Sequence, residues 1–210
     1  MKETSEKIKI LVVDDHPIFR QGIAALIATQ EDMALIAAAS NGSDAIQQFR
    51  RFRPDITLMD LQMPEMNGVA TIIALRQDFP SAKVIVLTTY AGDVQIANAL
   101  KAGAQAYLLK TAFHMELLDT IRAVYAGKKR FSHEASMELA EHAADDALTP
   151  AEISVLRLIA SGNANKQIAA ELSISEETVK SRVKQILSKL GANDRTHAVT
   201  IGLKRGVIEL

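Results

Sequence analysis

Acidic side chains that follow two apolar segments are the residues of this sequence best suited to chemistry. Asp14 and Asp15 end the apolar run 8–13, and Asp60 ends the run 56–59. Each run is typical of a buried strand. A single Asp at a strand end is usually a turn or cap residue. Carboxylates at two strand ends instead favour a ligand site, because the carboxyl ends of parallel strands meet at one edge of a sheet.

These three carboxylates predict a metal site. They would repel one another unless a cation lay among them. The chain contains no Cys, and no His stands near Asp60 in the sequence. We therefore expect a site with oxygen ligands only, which suits Mg²⁺ or Mn²⁺.

Two further strand ends carry polar groups that suit phosphoryl transfer. Thr88 follows the run 84–87, and Lys110 follows the run 107–109. Each alone is more typical of a turn residue or a solvated charge. Beside Asp60 as the nucleophile, a cation and Lys110 would neutralise developing charge, and Thr88 would bond a phosphoryl oxygen.

The elements that must position these groups alternate regularly over the first 127 residues. Strands are expected at 8–13, 33–38, 56–59, 83–87 and 106–109. Segments with helical spacing of apolar residues separate them. This alternation predicts a doubly wound α/β domain with a parallel sheet.

A small all-α domain is predicted after residue 147. Thr149 and Glu152 have the spacing of a capping box, and the helix that they begin should end at Gly162. Further helices are expected at 166–172, 176–190 and about 195–203. The tight turn at 173–175 predicts a helix-turn-helix.

The predicted helix 176–190 has one apolar face. Its other face and flanks carry mostly hydrogen-bond donors, which can meet DNA phosphates and base edges, although an ordinary solvated face would look similar. The candidate DNA-contacting residues are Lys180, Ser181, Arg182, Lys184, Gln185 and Ser188.

Composition and charge limit the possible classes of protein. The chain has 210 residues, of which 48% are hydrophobic, and its lack of Cys excludes a disulfide framework. No apolar run nears ~18 residues and the start has no signal core, so we expect a cytoplasmic protein without a membrane partner. Residues 147–210 hold 9 basic and 6 acidic side chains, against 15 and 19 in residues 1–146, which hints at a nucleic-acid partner for the second domain.

Residues 8–127 resemble the receiver domain of bacterial response regulators. The resemblance rests on the segments 12–15, 59–68 and 103–110 together with Thr88. It implies a CheY-like fold with five strands in the order 2-1-3-4-5. It also implies phosphorylation by a sensor histidine kinase.

The receiver resemblance assigns a role to each candidate site residue. It implies that Asp60 is the phosphoacceptor and that Lys110 pairs with the phosphoryl group. It implies that Thr88 and Tyr107 form the switch that reports phosphorylation. The implied Mg²⁺ ligands are Asp14 (partly through water), Asp15, Asp60 and the backbone carbonyl of Gln62.

Residues 147–210 resemble the LuxR-type helix-turn-helix, and the two domains together resemble the NarL/FixJ family of transcription regulators. The segments 148–156, 168–180 and 189–198 carry this second resemblance. We expect a receiver at 1–127, a partly helical linker at 128–146 and a DNA-binding domain at 147–210. The resemblance implies that helix 176–190 reads the major groove of double-stranded DNA, and that a homodimer forms on phosphorylation.

Two other classes of protein are weighed against a response regulator. A Mg²⁺-dependent phosphatase of the aspartyl-phosphate type needs a second Asp soon after its nucleophile, but Leu61 and Gln62 follow Asp60. We therefore expect no enzyme beyond the receiver's own phosphorylation and dephosphorylation. An adaptor that binds DNA without phosphorylation is disfavoured by the complete set of site residues.

Overall fold

The chain folds into two compact units, which are described separately. A computed structural model describes residues 6–89, 92–111, 113–131 and 147–208. Among these residues, no helix has the length and apolar character needed to cross a bilayer.

Parallel strands form the centre of the first unit. They are β1 (Ile8–Val13), β2 (Met33–Ala39), β3 (Ile56–Asp60), β4 (Val84–Thr88), β5 (Ala106–Leu109) and β6 (Arg130–Phe131). Their order in the sheet is β2-β1-β3-β4-β5-β6. The predicted doubly wound sheet and its 2-1-3-4-5 order are therefore confirmed.

The short strand β6 was not predicted. Arg130 pairs with Ala106, and Phe131 pairs with Tyr107, so two residues of the expected linker extend the sheet beyond β5. The rest of that segment, 132–146, lies outside the described residues, and so does its predicted helical character.

Helices alternate with the first five strands. They are α1 (Pro17–Ala28), α2 (Gly42–Phe52), α3 (Gly68–Asp78), α4 (Asp93–Ala102) and α5 (Phe113–Tyr125). One face of the sheet packs on α1 and α5, where Ile23 and Leu117 join the strand residues in one buried core. Alternate strand residues such as Leu11 and Met59 are buried on the other face, where α2 packs beside α3.

The register of the sheet explains why the polar strand ends meet. Val13 pairs with Met59, so Asp14 and Asp60 leave neighbouring strands at the same level. Asp60 itself pairs with Leu87, which places Thr88 one residue farther along the next strand. Parallel pairing thus brings residues far apart in sequence to one edge, as predicted.

Within residues 147–208, four helices form the described part of the second unit. They are α6 (Pro150–Ala160), α7 (Asn165–Glu171), α8 (Glu176–Leu190) and α9 (Arg195–Lys204). Their buried residues form a single apolar cluster that includes Val155, Ile168, Val179, Ile186 and Ala198. The predicted bounds of α8 are confirmed, those of α7 differ by one residue at each end, and that of α9 differs by one residue at its carboxyl end.

The predicted capping box is present at the start of α6. Thr149 Oγ1 accepts a hydrogen bond from the backbone N–H of Glu152, and Glu152 Oε2 accepts one from the backbone N–H of Thr149 at 2.6 Å. Lys189 Nζ, on α8, lies 3.0 Å from the same carboxylate oxygen. Glu152 therefore joins the start of α6 to the end of the candidate recognition helix.

We expect Glu152→Gln to destabilise α6 at neutral pH. Burial raises the pKa of Glu152, but the hydrogen bonds from Thr149 and Lys189 lower it by more, so the net shift is downward. A lowered carboxyl pKa gives stability that is present above the ordinary Glu pKa and is lost as pH falls through the lowered value. A loss of about 1–2 kcal/mol would speed hydrogen exchange in α6 about 5- to 30-fold.

The matched control for this prediction is Glu177→Gln. Glu177 pairs with Lys180 at 3.5 Å, and both side chains are largely exposed, so little change is expected. Hydrogen exchange of the α6 amides is measured at neutral pH and again below pH ~4. At the lower pH the exchange rates of the parent and the Glu152→Gln protein should converge, because Glu152 is then protonated. Equal exchange in the parent and Glu152→Gln proteins at neutral pH would contradict the prediction.

Candidate phosphoryl and DNA-binding sites

Lys110 joins two buried carboxylates at the predicted edge of the sheet. Its Nζ lies 2.6 Å from Asp60 Oδ2 and 2.7 Å from Asp14 Oδ2. Asp14 is 1% exposed and Asp60 is 3% exposed. The structure therefore brings together three of the predicted site residues, and the ammonium group offsets the charge of both carboxylates.

The ionisation of this pair is set by burial and mutual attraction. Burial raises the pKa of Asp60, and the hydrogen bond and charge of Lys110 lower it by less, so the pKa lies above its ordinary value. Burial lowers the pKa of Lys110, but hydrogen bonds and charges of Asp14 and Asp60 raise it by more. Lys110 thus stays protonated, while a further cation would help to keep Asp60 ionised.

We expect Asp60→Asn to stabilise the metal-free protein at neutral pH. A raised carboxyl pKa gives stability that is present below the ordinary Asp pKa and is lost as pH rises through the raised value. Asn removes that cost and leaves Lys110 paired with Asp14. The midpoint of thermal unfolding in the presence of a chelator should rise at neutral pH and change little near pH ~4. A lower midpoint at neutral pH would refute this account of Asp60.

Thr88 and Tyr107 interact beside Asp60. Burial raises the pKa of the Tyr107 hydroxyl, and a side-chain hydrogen bond with Thr88 lowers it by less. Both residues are 0% exposed. In this structure the ring of Tyr107 is thus buried and its hydroxyl is hydrogen-bonded to Thr88.

The loop after β3 approaches the backbone of Asp60 closely. The N–H of Gly68 donates to the carbonyl of Leu61 at 2.9 Å. A Cβ atom at residue 68 would clash with the carbonyl oxygen of Asp60, so glycine is required there. The backbone N–H of Gln62 donates to Asp60 Oδ1 at 3.3 Å. The role of the Gln62 carbonyl as a metal ligand stays a prediction.

His16 is a candidate metal ligand that the sequence analysis missed, and the expectation of a site with oxygen ligands only stays a prediction. Asp14, Asp15, His16 and Asp60 each offer a ligand atom, and these atoms lie within 4.8 Å of one another. The imidazole of His16 is distant from Asp60 in sequence but close in space, because the ends of β1 and β3 are neighbours. The signal was its position directly after Asp15, within the loop that leaves a site strand.

Phe19 and Arg20 are further site residues that the sequence analysis missed. Lys110 Nζ lies 4.7 Å from the centre of the Phe19 ring, a cation–π distance. The Arg20 guanidinium donates to the backbone carbonyl of Asp14. A cavity of about 500 Å³ adjoins Phe19 and is lined partly by His16 and Lys110 as well. Both residues belong to α1, where apolar spacing gave no reason to assign them to a site.

The candidate DNA-contacting residues lie on α8 as the apolar pattern predicted. Val179, Ile186 and Leu190 are buried. Five of the six candidates are exposed, and Arg182 is half-buried. The exposed candidates are Lys180, Ser181, Lys184, Gln185 and Ser188. Their contacts with DNA stay a prediction.

Two family models match the two units of the chain. The response regulator receiver domain matches residues 10–122, and the luxR family of bacterial regulatory proteins matches residues 146–201. The chain is 37% identical over 207 residues to the response regulator protein VraR of Staphylococcus epidermidis, covering 96% of this chain and 99% of that relative. VraR of Staphylococcus aureus is 36% identical with the same coverage.

Solved structures of two-domain regulators are also similar. RcsB from Salmonella enterica serovar Typhimurium, bound to a promoter in the presence of the phosphomimetic BeF3⁻, has a TM-score of 0.74 at 26% identity, over 96% of this chain and 100% of that one. The response regulator ChrA of a heme-sensing two-component system has a TM-score of 0.58 at 33% identity, over 96% and 99% of the two chains.

Proposed function

This chain belongs to the NarL/FixJ family of two-component response regulators, and we propose that phosphorylation of Asp60 controls its dimerisation and its binding to promoter DNA. The observation that carries the proposal is the ion-paired group of Asp60, Lys110 and Asp14 at one sheet edge. A cytoplasmic location follows from a DNA partner of this kind.

The proposed reaction transfers a phosphoryl group from a sensor histidine kinase to Asp60. A carboxylate oxygen of Asp60 attacks phosphorus, an O–P bond forms, and the bond from phosphorus to the kinase histidine breaks. Lys110 lies within hydrogen-bond distance of Asp60 and can neutralise charge on the phosphoryl oxygens. The reaction is the receiver's own modification, so the protein is no enzyme towards other substrates.

The residues at this edge fit a divalent metal ion. Asp14 Oδ2 is buried with Lys110 Nζ 2.7 Å away, and Asp15 Oδ1 lies 2.7 Å from His16 Nδ1. Asp14, Asp15 and Asp60 each offer a ligand atom, and these atoms lie within 4.8 Å of one another. Asp14, Asp15, Asp60 and the Gln62 carbonyl would hold Mg²⁺ or Mn²⁺. When bound, the ion supplies positive charge that offsets the charge of the transferring phosphoryl group.

We propose that Thr88 is the residue that responds to phosphorylation of Asp60. Its hydroxyl bonds Tyr107 and lies at the end of the strand beside Asp60. A phosphoryl oxygen on Asp60 offers Thr88 a charged acceptor, which competes with the phenol of Tyr107. A change in the Thr88–Tyr107 bond would then alter the surface near α4 and β5, which we assign to the pairing of receivers.

The DNA-binding half of the proposal rests on α8. Its exposed face carries lysines, serines and Gln185, which can donate to base edges and phosphates. The RcsB structures contain dimers and DNA, which supports double-stranded DNA and a second copy of this chain as partners. We assign major-groove contacts to Lys180, Ser181 and Lys184, with Arg182, Gln185 and Ser188 beside them.

We expect Thr88→Ala to uncouple phosphorylation from DNA binding. Typical coupling of ~1–3 kcal/mol would let phosphorylation tighten operator binding roughly 5- to 150-fold in the parent. Without its hydroxyl the variant should still be labelled at Asp60 but should lose most of that gain. Operator affinity and oligomeric state are measured with and without acetyl phosphate.

The control for this experiment is Thr71→Ala. Thr71 is also a fully buried Thr, but its hydroxyl donates to the Asn67 carbonyl at 2.8 Å. It should keep the phosphorylation-dependent gain. Equal dimerisation and operator binding by the phosphorylated parent and Thr88→Ala proteins would exclude the switch. Parent protein that binds the operator equally with and without the phosphodonor would favour the adaptor.

A further inference from the structure

We propose that His16 supplies a nitrogen ligand to the metal site, so that the site binds a divalent transition-metal ion such as Co²⁺ more tightly than an all-oxygen receiver site would. The proposal deepens the function proposed above and rests on it. It concerns which ion occupies the site, since imidazole suits transition metals whereas Mg²⁺ prefers oxygen.

The first support is the distance from the imidazole to two carboxylates. His16 Nδ1 lies 2.7 Å from Asp15 Oδ1 and 3.2 Å from Asp14 Oδ1. Neighbouring ligands of an octahedral ion, each at about 2.1 Å from it, are about 3 Å apart. Nδ1 therefore lies at a distance from each carboxylate oxygen that fits two neighbouring ligands of one coordination shell.

The second support is that the His16 side chain has no other structural task within the described residues. His16 is the N-cap of α1, but its side chain makes no capping hydrogen bond. Its backbone N–H instead donates to Asp14 Oδ1 at 2.9 Å, which fixes the residue beside the site. Pro17 follows as the first helical residue and restricts the backbone further.

The third support is the state of the carboxylates themselves. Asp14 is 1% exposed and its Oδ2 lies 2.7 Å from Lys110 Nζ, whereas Asp15 Oδ1 lies 2.7 Å from His16 Nδ1. An ionised carboxylate has about four lone-pair positions, so each of these groups can still accept a metal ion. The His16 side chain is 67% exposed, so the approach to the site from solvent stays open on the imidazole side.

An alternative role for His16 is a plain hydrogen bond to Asp15. That role would make the imidazole a donor and would give it no preference among ions. The two roles differ in a measurable way, because only a ligand changes the ranking of metals when it is removed.

The experiment measures binding of Co²⁺ and Mg²⁺ by isothermal titration to the full-length parent, His16→Ala and His16→Asn proteins. Loss of a ligand should weaken Co²⁺ binding by at least about tenfold in His16→Ala, with a change of less than about twofold for Mg²⁺. His16→Asn offers an oxygen near the position of Nδ1, so it should keep Mg²⁺ affinity and still lose Co²⁺ affinity. His197→Ala removes an imidazole from the other unit and should change neither.

A spectroscopic measurement separates a ligand from a neighbour. Mn²⁺ bound to the parent should show a nitrogen hyperfine coupling in pulsed electron paramagnetic resonance, and the coupling should disappear in His16→Ala. Absence of the coupling in the parent, or equal Co²⁺ affinity in parent and variant, would overturn the proposal. Labelling of Asp60 by acetyl phosphate is measured in parallel. Its failure in the parent would count against the proposed function instead.

Discussion

Asp60→Asn protein is expected to take up no phosphoryl label from acetyl phosphate, whereas the parent is labelled. Asn keeps the size of the side chain but cannot act as the carboxylate nucleophile. The fold should persist, because Asp60 is only 3% exposed and the neutral Asn side chain avoids the cost of burying a charge there. Incorporation is followed by intact-protein mass spectrometry or by radiolabel. Undiminished labelling of Asp60→Asn would remove Asp60 from the role of phosphoacceptor.

Asp55→Asn is the matched control, because Asp55 lies just before the opposite end of the same strand. Its Oδ2 accepts from the backbone N–H of Lys9 at 2.8 Å, a bond that the Asn oxygen can keep. Labelling should equal that of the parent. Asp15→Ala should act differently, because it removes a metal ligand but leaves the nucleophile. Labelling should then fall and recover in part as the metal concentration is raised.

The fold was predictable because each strand is a short apolar run between helical segments. The run 56–59 gave β3 within one residue, and the parallel arrangement then placed Asp14 next to Asp60. Strand β6 was not predicted because its two residues, Arg130 and Phe131, are too few to show an alternating apolar pattern. Its pairing depends on the edge of β5, which exists only after the sheet has formed.

The site was predictable where a residue type at a strand end carried the chemistry. Asp60, Lys110 and Thr88 stand at such ends. Two orientations could not be read from sequence. His16 approaches Asp15 because the backbone turns into α1 at that residue, and Phe19 lies over Lys110 because α1 packs against the sheet. Both depend on tertiary geometry.

Lys189 illustrates the same limit on α8. Helical spacing alone puts Lys189 on a flank of the outward face, beside residues that could reach DNA. The structure instead places its ammonium 3.0 Å from Glu152, so it holds two helices of the unit together. The spacing of residues along one helix cannot predict a partner on another helix, 37 residues away in sequence.

Lys184→Ala is expected to weaken binding to the specific operator by about 1–3 kcal/mol, roughly 5- to 150-fold, and to relax sequence preference at one base pair. Lys184 is exposed near the middle of α8, one turn after Lys180. Its ammonium can donate to the acceptors of a guanine edge. Affinities for the operator, for operators with single substitutions and for unrelated DNA are measured on the phosphorylated protein.

The salt dependence of binding distinguishes a base contact from a phosphate contact. If Lys184 meets only phosphate, affinity should fall equally for all sequences, and the slope of log affinity against log salt should shrink by about one. Lys204→Ala is the charge-matched control, since Lys204 is exposed at the end of α9 and lies outside the candidate face. Equal operator affinity of Lys184→Ala and the parent would show that α8 presents an ordinary solvated face there. A loss that depends on sequence, absent in Lys204→Ala, would establish Lys184 as a base-reading residue.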